Sequence, residues 1–333
     1  MHKNRLRLFA AVAGALPLLV GAPAALAQTA PKACVPIPVD KIGIQLYSLN
    51  AVFAGTTPAP RPPSTPESMR NGGAPPAAAA PATPRPPPPP ADPARVDQVL
   101  ARVSAIGYRN AEGAGTAGLP VAQWGQLLEK NKLKLISNHG QLNPTTWDQQ
   151  LADAVTTKMG PYIGSGNYGN PGLNSLEDVL ATAKNLNDLG RRASAKGLRF
   201  YVHNHTREFD NKYLYDINKD GKPVMTTAWE IVAAETDPKY VNFEVDVHWA
   251  LEAFKLDQPA MLAFIKKYSD RIILYHIKGT KGTELADVGG DDTDWPAVYA
   301  AGKKVEYYIW EYDGPPDGLK SAETAFNYMT CKK

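Results

Sequence analysis

Short runs of apolar, β-branched and aromatic residues recur along the chain, each opening after a turn-like break, and this pattern predicts β-strands. They lie at 42–49 (IGIQLYSL), 108–113 (YRNAEG), 133–140 (LKLISNHG), 160–166 (GPYIGSG), 198–205 (LRFYVHNH), 241–249 (VNFEVDVHW), 271–279 (RIILYHIKG) and 305–313 (VEYYIWEYD). Between them the spacing of apolar positions becomes helical, over 94–106, 120–131, 146–157, 174–196, 226–235, 256–268, 294–302 and 319–330. In the longest of these, Leu176, Val179, Leu180, Ala183, Leu186 and Leu189 fall on one stripe. Strands alternating with helices in this number predict an α/β fold, a single-domain (β/α)8 TIM barrel. A doubly wound open sheet is the alternative, disfavoured because no glycine-rich phosphate turn follows the first strand.

Two stretches stand outside the pattern. Residues 1–27 begin with basic His2, Lys3, Arg5 and Arg7, continue through an apolar run and end in a small-residue ALA, which predicts a secretory signal peptide cleaved after Ala27. A membrane anchor is disfavoured, because Gly14, Pro17, Gly21 and Pro23 interrupt the run and leave it short of the roughly 20 residues a spanning helix needs. Residues 55–94 are dominated by Pro, Ala and Gly; with so few large apolar side chains they predict a disordered or polyproline-like insert after the first strand. The barrel itself is expected within 28–333, interrupted by that insert.

The formal charge of +3 is carried by the basic leader: without Lys3, Arg5 and Arg7 the mature chain is near neutral, which argues against a nucleic-acid partner. No later stretch is apolar enough to insert in a membrane, and the expected location is the periplasm or outside the cell. The two cysteines, Cys34 and Cys331, lie near the ends of the mature chain. In an exported protein they invite a disulfide; two unpaired thiols are the alternative. Barrel closure brings the first strand beside the last helix and makes the bridge reasonable.

Barrel enzymes place their chemistry where the strands end. All five histidines of the mature chain fall at such ends: His139, His203, His205, His248 and His276. Tyr47, Glu112, Asn167, Asp246, Lys278, Glu311 and Asp313 join them. On the last four strands His203, Asp246, His276 and Glu311 combine imidazole nitrogen with carboxylate oxygen, a donor set suited to one divalent ion such as Mn²⁺, Zn²⁺, Co²⁺ or Mg²⁺. The alternative is an internal ion-pair network at the barrel mouth.

The motifs YSLN, GYRNAEGAG, SNHGQL, YVHNHTREF, VDVHW, HIKG and WEYDGP, in this order, resemble the xylose-isomerase-like TIM barrel superfamily, in particular its sugar phosphate isomerase/epimerase members. The likeness covers the chain from Lys41 onward except the Pro-rich stretch. It implies a single divalent metal held at the ends of strands five to eight, often by Glu, Asp, His and Glu. Asp246, His276 and Glu311 match; at strand five His203 stands where the family has glutamate, so His205 and Glu208 compete with it as fourth ligand.

Such a site acidifies the carbon next to a sugar carbonyl. Related epimerases exchange protons between two carboxylates, and with His203 at strand five that symmetry is lost. Glu112 becomes a candidate base, His139 and His205 candidate proton shuttles, and Lys278 a candidate oxyanion partner or simply an ion-pair partner of Glu311. Tyr47, His248 and Trp249 are candidate substrate contacts. The expected function is metal-dependent isomerisation, epimerisation, or hydration and elimination on a small-molecule sugar. A free sugar, a glycoside or a 3-keto-glycoside is favoured, because no phosphate cradle is visible. A sugar-binding barrel without catalysis is the non-enzymatic alternative. An endonuclease-IV-like repair enzyme is disfavoured by too few histidines and no basic face.

Overall fold

The computed structural model describes residues 34–56 and 91–332. The leader (1–27) and most of the Pro-rich stretch lie outside the described residues. Eight parallel strands make up the barrel: β1 (Ile42–Gln45), β2 (Asn110–Gly113), β3 (Lys134–Asn138), β4 (Tyr162–Ser165), β5 (Arg199–His203), β6 (Val241–Asp246), β7 (Ile272–Ile277) and β8 (Tyr307–Trp310). Their hydrogen-bonded order is β3-β2-β1-β8-β7-β6-β5-β4, so the last strand lies beside the first. Gly160 N donates to Leu135 O at 3.0 Å and Gly140 N to Gly164 O at 2.8 Å, linking β4 to β3 and nearly closing the ring. Glycine is needed at 164, because a Cβ there would lie 2.3 Å from the Tyr201 carbonyl oxygen.

The strands read as near-continuous apolar runs because both faces are covered: every residue of β1, β2, β4, β6 and β7 is buried. Ile136, Tyr162, Tyr201, Ile273, Leu274 and Ile309 fill the barrel interior. The larger core lies between strands and helices. The helix Leu176–Ser194 shows how it is built: the Ser175 hydroxyl caps it by accepting from Asp178 N at 3.1 Å, and acids occupy the first turn and arginines the last. Its buried face carries Val179, Ala183, Leu186 and Leu189 as the stripe predicts, but Leu180 is exposed and Thr182, Gly190 and Ala193 are buried instead. The helix approaches so closely that a Cβ at Gly190 would lie 2.5 Å from Tyr240 O. Truncating Leu186 to alanine in this packing costs about 2–5 kcal/mol.

The strands end earlier than the apolar pattern suggests. After Asp246 the chain turns at once into a helix, Val247–Ala253, and two small hairpins (Lys212–Tyr215 with Val224–Thr227, and Gly279–Lys281 with Glu284–Ala286) decorate the loops after β5 and β7. Pro93 and Ala94, placed by composition in the insert, form the first turn of the helix Pro93–Ile106, with Asp92 as its cap. Because β8 neighbours β1, the terminal helix Gly318–Met329 packs against the first elements: Ile37 N donates to Met329 O at 2.8 Å, and Cys34 is joined to Cys331 by a disulfide with Cα atoms 5.8 Å apart. Among the described residues no helix is long and apolar enough to cross a membrane.

Candidate metal centre

Side chains alternate along a strand, so residues two apart share a face. On β6 this sends both Glu244 and Asp246 inward, one layer apart, with Asp246 opposite His276 of β7. His203 ends β5 and Glu311 follows β8. Donor atoms of His203, Asp246, His276 and Glu311 all lie within 4.8 Å of one another. His276 Nδ1 is 2.8 Å from Glu311 Oε2 and 3.9 Å from Asp246 Oδ2, while His203 Nε2 is 3.8 Å from Asp246 Oδ2. The group that converges therefore contains His203; Glu208 instead turns its carboxylate to the His205 backbone N–H at 2.7 Å.

Lys278 Nζ reaches Glu311 Oε2 at 2.7 Å and both Asp246 Oδ2 and Asp313 Oδ2 at 3.0 Å. Asp246 Oδ1 caps the helix that follows by accepting from Trp249 N at 3.0 Å. Its Oδ2 is buried and, although close to the lysine, makes no hydrogen bond of good geometry. Burial, with the Glu311 charge adding to it, pushes the Asp246 carboxyl up to about 6 against the pull of Lys278. For Glu311 burial works in the same sense but is outweighed by Lys278 and His276, which hold it well below the usual carboxylate range. An under-satisfied buried carboxylate beside a second carboxylate and two imidazoles fits a divalent ion in donor type and number.

A second layer lies directly beneath. Glu112 accepts from Gln45 Nε2 (2.7 Å), Ser137 Oγ (2.6 Å) and Tyr201 OH (2.5 Å), and its Oε1 lies 2.7 Å from His276 Nε2 and 3.2 Å from His139 Nε2. Burial opposes its ionisation, but the two imidazoles and the hydrogen bonds bring it down to about 2. Glu112, expected as a base, is held in this network with no exposed surface and does not line the mouth. Glu244 Oε2 lies 2.9, 3.1 and 3.2 Å from nitrogens of His139, His203 and His276. Burial and the neighbouring rings drive His203 well below its ordinary value, whereas the surrounding carboxylates overcome burial and raise His276 well above it.

The mouth above these layers is a cavity of about 300 Å³. Tyr47, His139, His203, His205, Trp249 and Glu311 line it, with Gln141, Asn167 and Asp313. His205 packs against His203 and Trp249, and burial and Lys278 bring it down to about 4. A cavity of about 400 Å³ shares Ala114, His139, Gly140 and Gln141 with the mouth, but of the converging donors His203 and Glu311 line the mouth and none lines this second cavity. One expected substrate contact is displaced. His248 sits on the helix, not the strand, so it rotates off the mouth and its Nδ1 lies 2.9 Å from Thr280 Oγ1. Lys278 is 1% exposed beneath its three carboxylates, and it makes the ion pair with Glu311 that was one of its two expected roles. Glu244 was missed: only its place two residues before Asp246, as an acid in an apolar strand, marks it.

No protein-family model matches the chain, and no curated protein matches it in sequence. Solved structures do. A sugar phosphate isomerase/epimerase from Parabacteroides distasonis superposes with a TM-score of 0.59 at 19% identity, over 91% of this chain and 94% of that one. A xylose isomerase-like TIM barrel protein from Mycobacterium smegmatis, in complex with magnesium, gives 0.51 at 14% identity, over 72% and 89%. The fold is that of the xylose-isomerase-like TIM barrels. Among barrels of this fold the match extends to a probable 3-DHS dehydratase involved in petrobactin synthesis from Bacillus anthracis, with a TM-score of 0.57 at 10% identity, over 87% of this chain and 98% of that one.

Proposed function

We propose that the protein is a divalent-metal-dependent enzyme that removes a proton from the carbon next to a carbonyl of an uncharged sugar, leading to isomerisation, epimerisation or elimination. The observation that carries this is the convergence of His203, Asp246, His276 and Glu311 at the C-terminal mouth of the barrel. When bound, the ion would polarise the sugar carbonyl and acidify the neighbouring C–H. The magnesium complex of a barrel with the same fold is in keeping with such a centre.

The pocket favours a neutral ligand. Among the described residues its lining contains no lysine or arginine, and Glu311 and Asp313 face it, so these residues offer a phosphate group repulsion instead of a cradle. Tyr47 and Trp249 offer ring faces, and Gln141 and Asn167 offer amides suited to hydroxyl groups. Strand five presents an imidazole where a two-carboxylate epimerase needs an acid. One-base chemistry, with His205 as base and His139 as proton donor, both lining the mouth beside His203, is compatible with that arrangement, and elimination next to a keto group belongs to the same class. The leader pattern and the Cys34–Cys331 bridge support a periplasmic or extracellular location.

Elemental analysis of the purified protein beside folded Asp246→Ala and Glu311→Ala variants tests the centre. About one equivalent of divalent metal in the wild type, lost in both variants, is expected. Solvent deuterium uptake into keto-sugars or keto-glycosides then tests proton abstraction. Absence of metal after incubation with Mn²⁺, Co²⁺ or Zn²⁺ would sink the enzyme assignment and leave a sugar-binding barrel whose carboxylates are neutralised by Lys278.

A further inference from the structure

The two imidazoles of the centre each face two ways. His203 turns Nε2 toward Asp246 and Nδ1 toward Glu244 (3.1 Å). His276 turns Nδ1 toward Glu311 and Asp246, and Nε2 toward Glu244 (3.2 Å) and Glu112 (2.7 Å). A neutral imidazole carries one N–H and one lone pair, so whatever accepts the proton on the inner nitrogen decides that the outer nitrogen is free to bind a cation.

We propose that Glu244 is the positioning residue of this centre, accepting from the inner Nδ1 of His203 and so turning its outer Nε2 lone pair toward Asp246. The inference rests on the metal-centre assignment above. His203 then carries its proton on Nδ1, whereas the inner Nε2 of His276 has Glu112 Oε1 as its nearest acceptor, at 2.7 Å. The strand register makes this possible: Glu244 lies directly opposite His203 across the β5–β6 pair. The Oε1 of Glu244 is buried without a hydrogen bond and its Oε2 meets three imidazoles, so that Glu244 with His139, His203 and His276 also forms a donor group within 4.8 Å, whereas Glu112 is tied to Gln45, Ser137 and Tyr201. A buried carboxylate with so little else to hold it is costly unless its pairing is used.

Carboxylates behind metal-bound histidines typically tune affinity by about 10–100-fold. Glu244→Gln keeps the shape and removes the charge. Its affinity for Mn²⁺ or Zn²⁺, measured by chelator competition on protein shown folded by circular dichroism, is expected to weaken by about that factor. In the metal-free protein, ¹⁵N NMR of the imidazoles is expected to show His203 as the Nδ1–H tautomer in the wild type and as a mixture in Glu244→Gln. Affinity within twofold of wild type, His203 protonated on Nε2 in the wild type, or a second equivalent of metal lost on substitution would each overturn the proposal. Should the wild type bind no divalent ion, the metal assignment falls, and the His203 tautomer still decides whether Glu244 positions the ring. Should Glu244→Gln not fold, Glu244→Asp withdraws the charge by one methylene, and unchanged affinity there overturns the proposal equally.

Discussion

Glu112 and Asp246 are carboxylates of the same barrel interior, and neither has any exposed surface. Burial disfavours the charge of both, yet Glu112 is brought down to about 2 while Asp246 is pushed up to about 6. The difference lies in their surroundings. Glu112 in the lower layer has three hydroxyl or amide donors and two imidazoles; Asp246 in the upper layer shares one lysine with two other carboxylates and keeps an oxygen without a hydrogen bond. A buried acid whose partners are complete belongs to the scaffold. One whose partners are incomplete marks the place where something else is to bind.

Removing the upper layer should break the contrast most completely. Asp246→Ala and Glu311→Ala are expected to retain no stoichiometric metal and to lose turnover on the order of 10³-fold, read by elemental analysis and initial rates. Stripping the wild type with a chelator should give the same loss, reversed by adding Mn²⁺ or Zn²⁺. In the lower layer the effect should move from activity to stability: Glu112→Ala leaves two imidazoles and three donors without their acceptor, and denaturant unfolding should show a loss of about 3–5 kcal/mol. A drop of less than about 1 kcal/mol would erase the distinction between the layers.

Glu208 sharpens the comparison through pH. Burial raises its carboxyl from 4.5 to about 7, against the two backbone N–H groups that favour the charged form. A raised folded value means that its contribution to stability is present below 4.5 and is lost as the pH rises through about 7. Glu208→Gln does not titrate, so it should gain on the wild type by up to about 3 kcal/mol between those limits, and parallel pH–stability curves would refute the shift. The smallest expected change is at the mouth. His205→Gln should keep its metal and lower turnover about 10²-fold, and loss of metal in that variant would make His205 a ligand.

Most of the barrel was legible in the chain because Gly, Pro and polar turns punctuate strands that are apolar on both faces. Strand ends were less so: the run VNFEVDVHW looks continuous, but Asp246 caps a helix, and that one event carries His248 away from the mouth while leaving Trp249 in it. Of the site, the four converging donors could be found because histidines and acids at strand ends have few other reasons to be there. Lys278 and Glu112 were visible as residue types, but their roles depend on which partners surround them, and those partners come from five other strands or the segments that follow them. Glu244 was hidden because one acid inside an apolar strand looks like an exception until the three imidazoles that meet it are in place.

The bridge between Cys34 and Cys331 has a consequence for the chain as a connected object. With the two cysteines 297 positions apart in the sequence, every peptide bond of the barrel lies inside one covalent ring. A single cut anywhere in that ring produces a linear molecule, not two separable fragments, in effect a permuted chain joined through sulfur. Nicked protein should therefore migrate as one species until a reductant is added, and then fall into two.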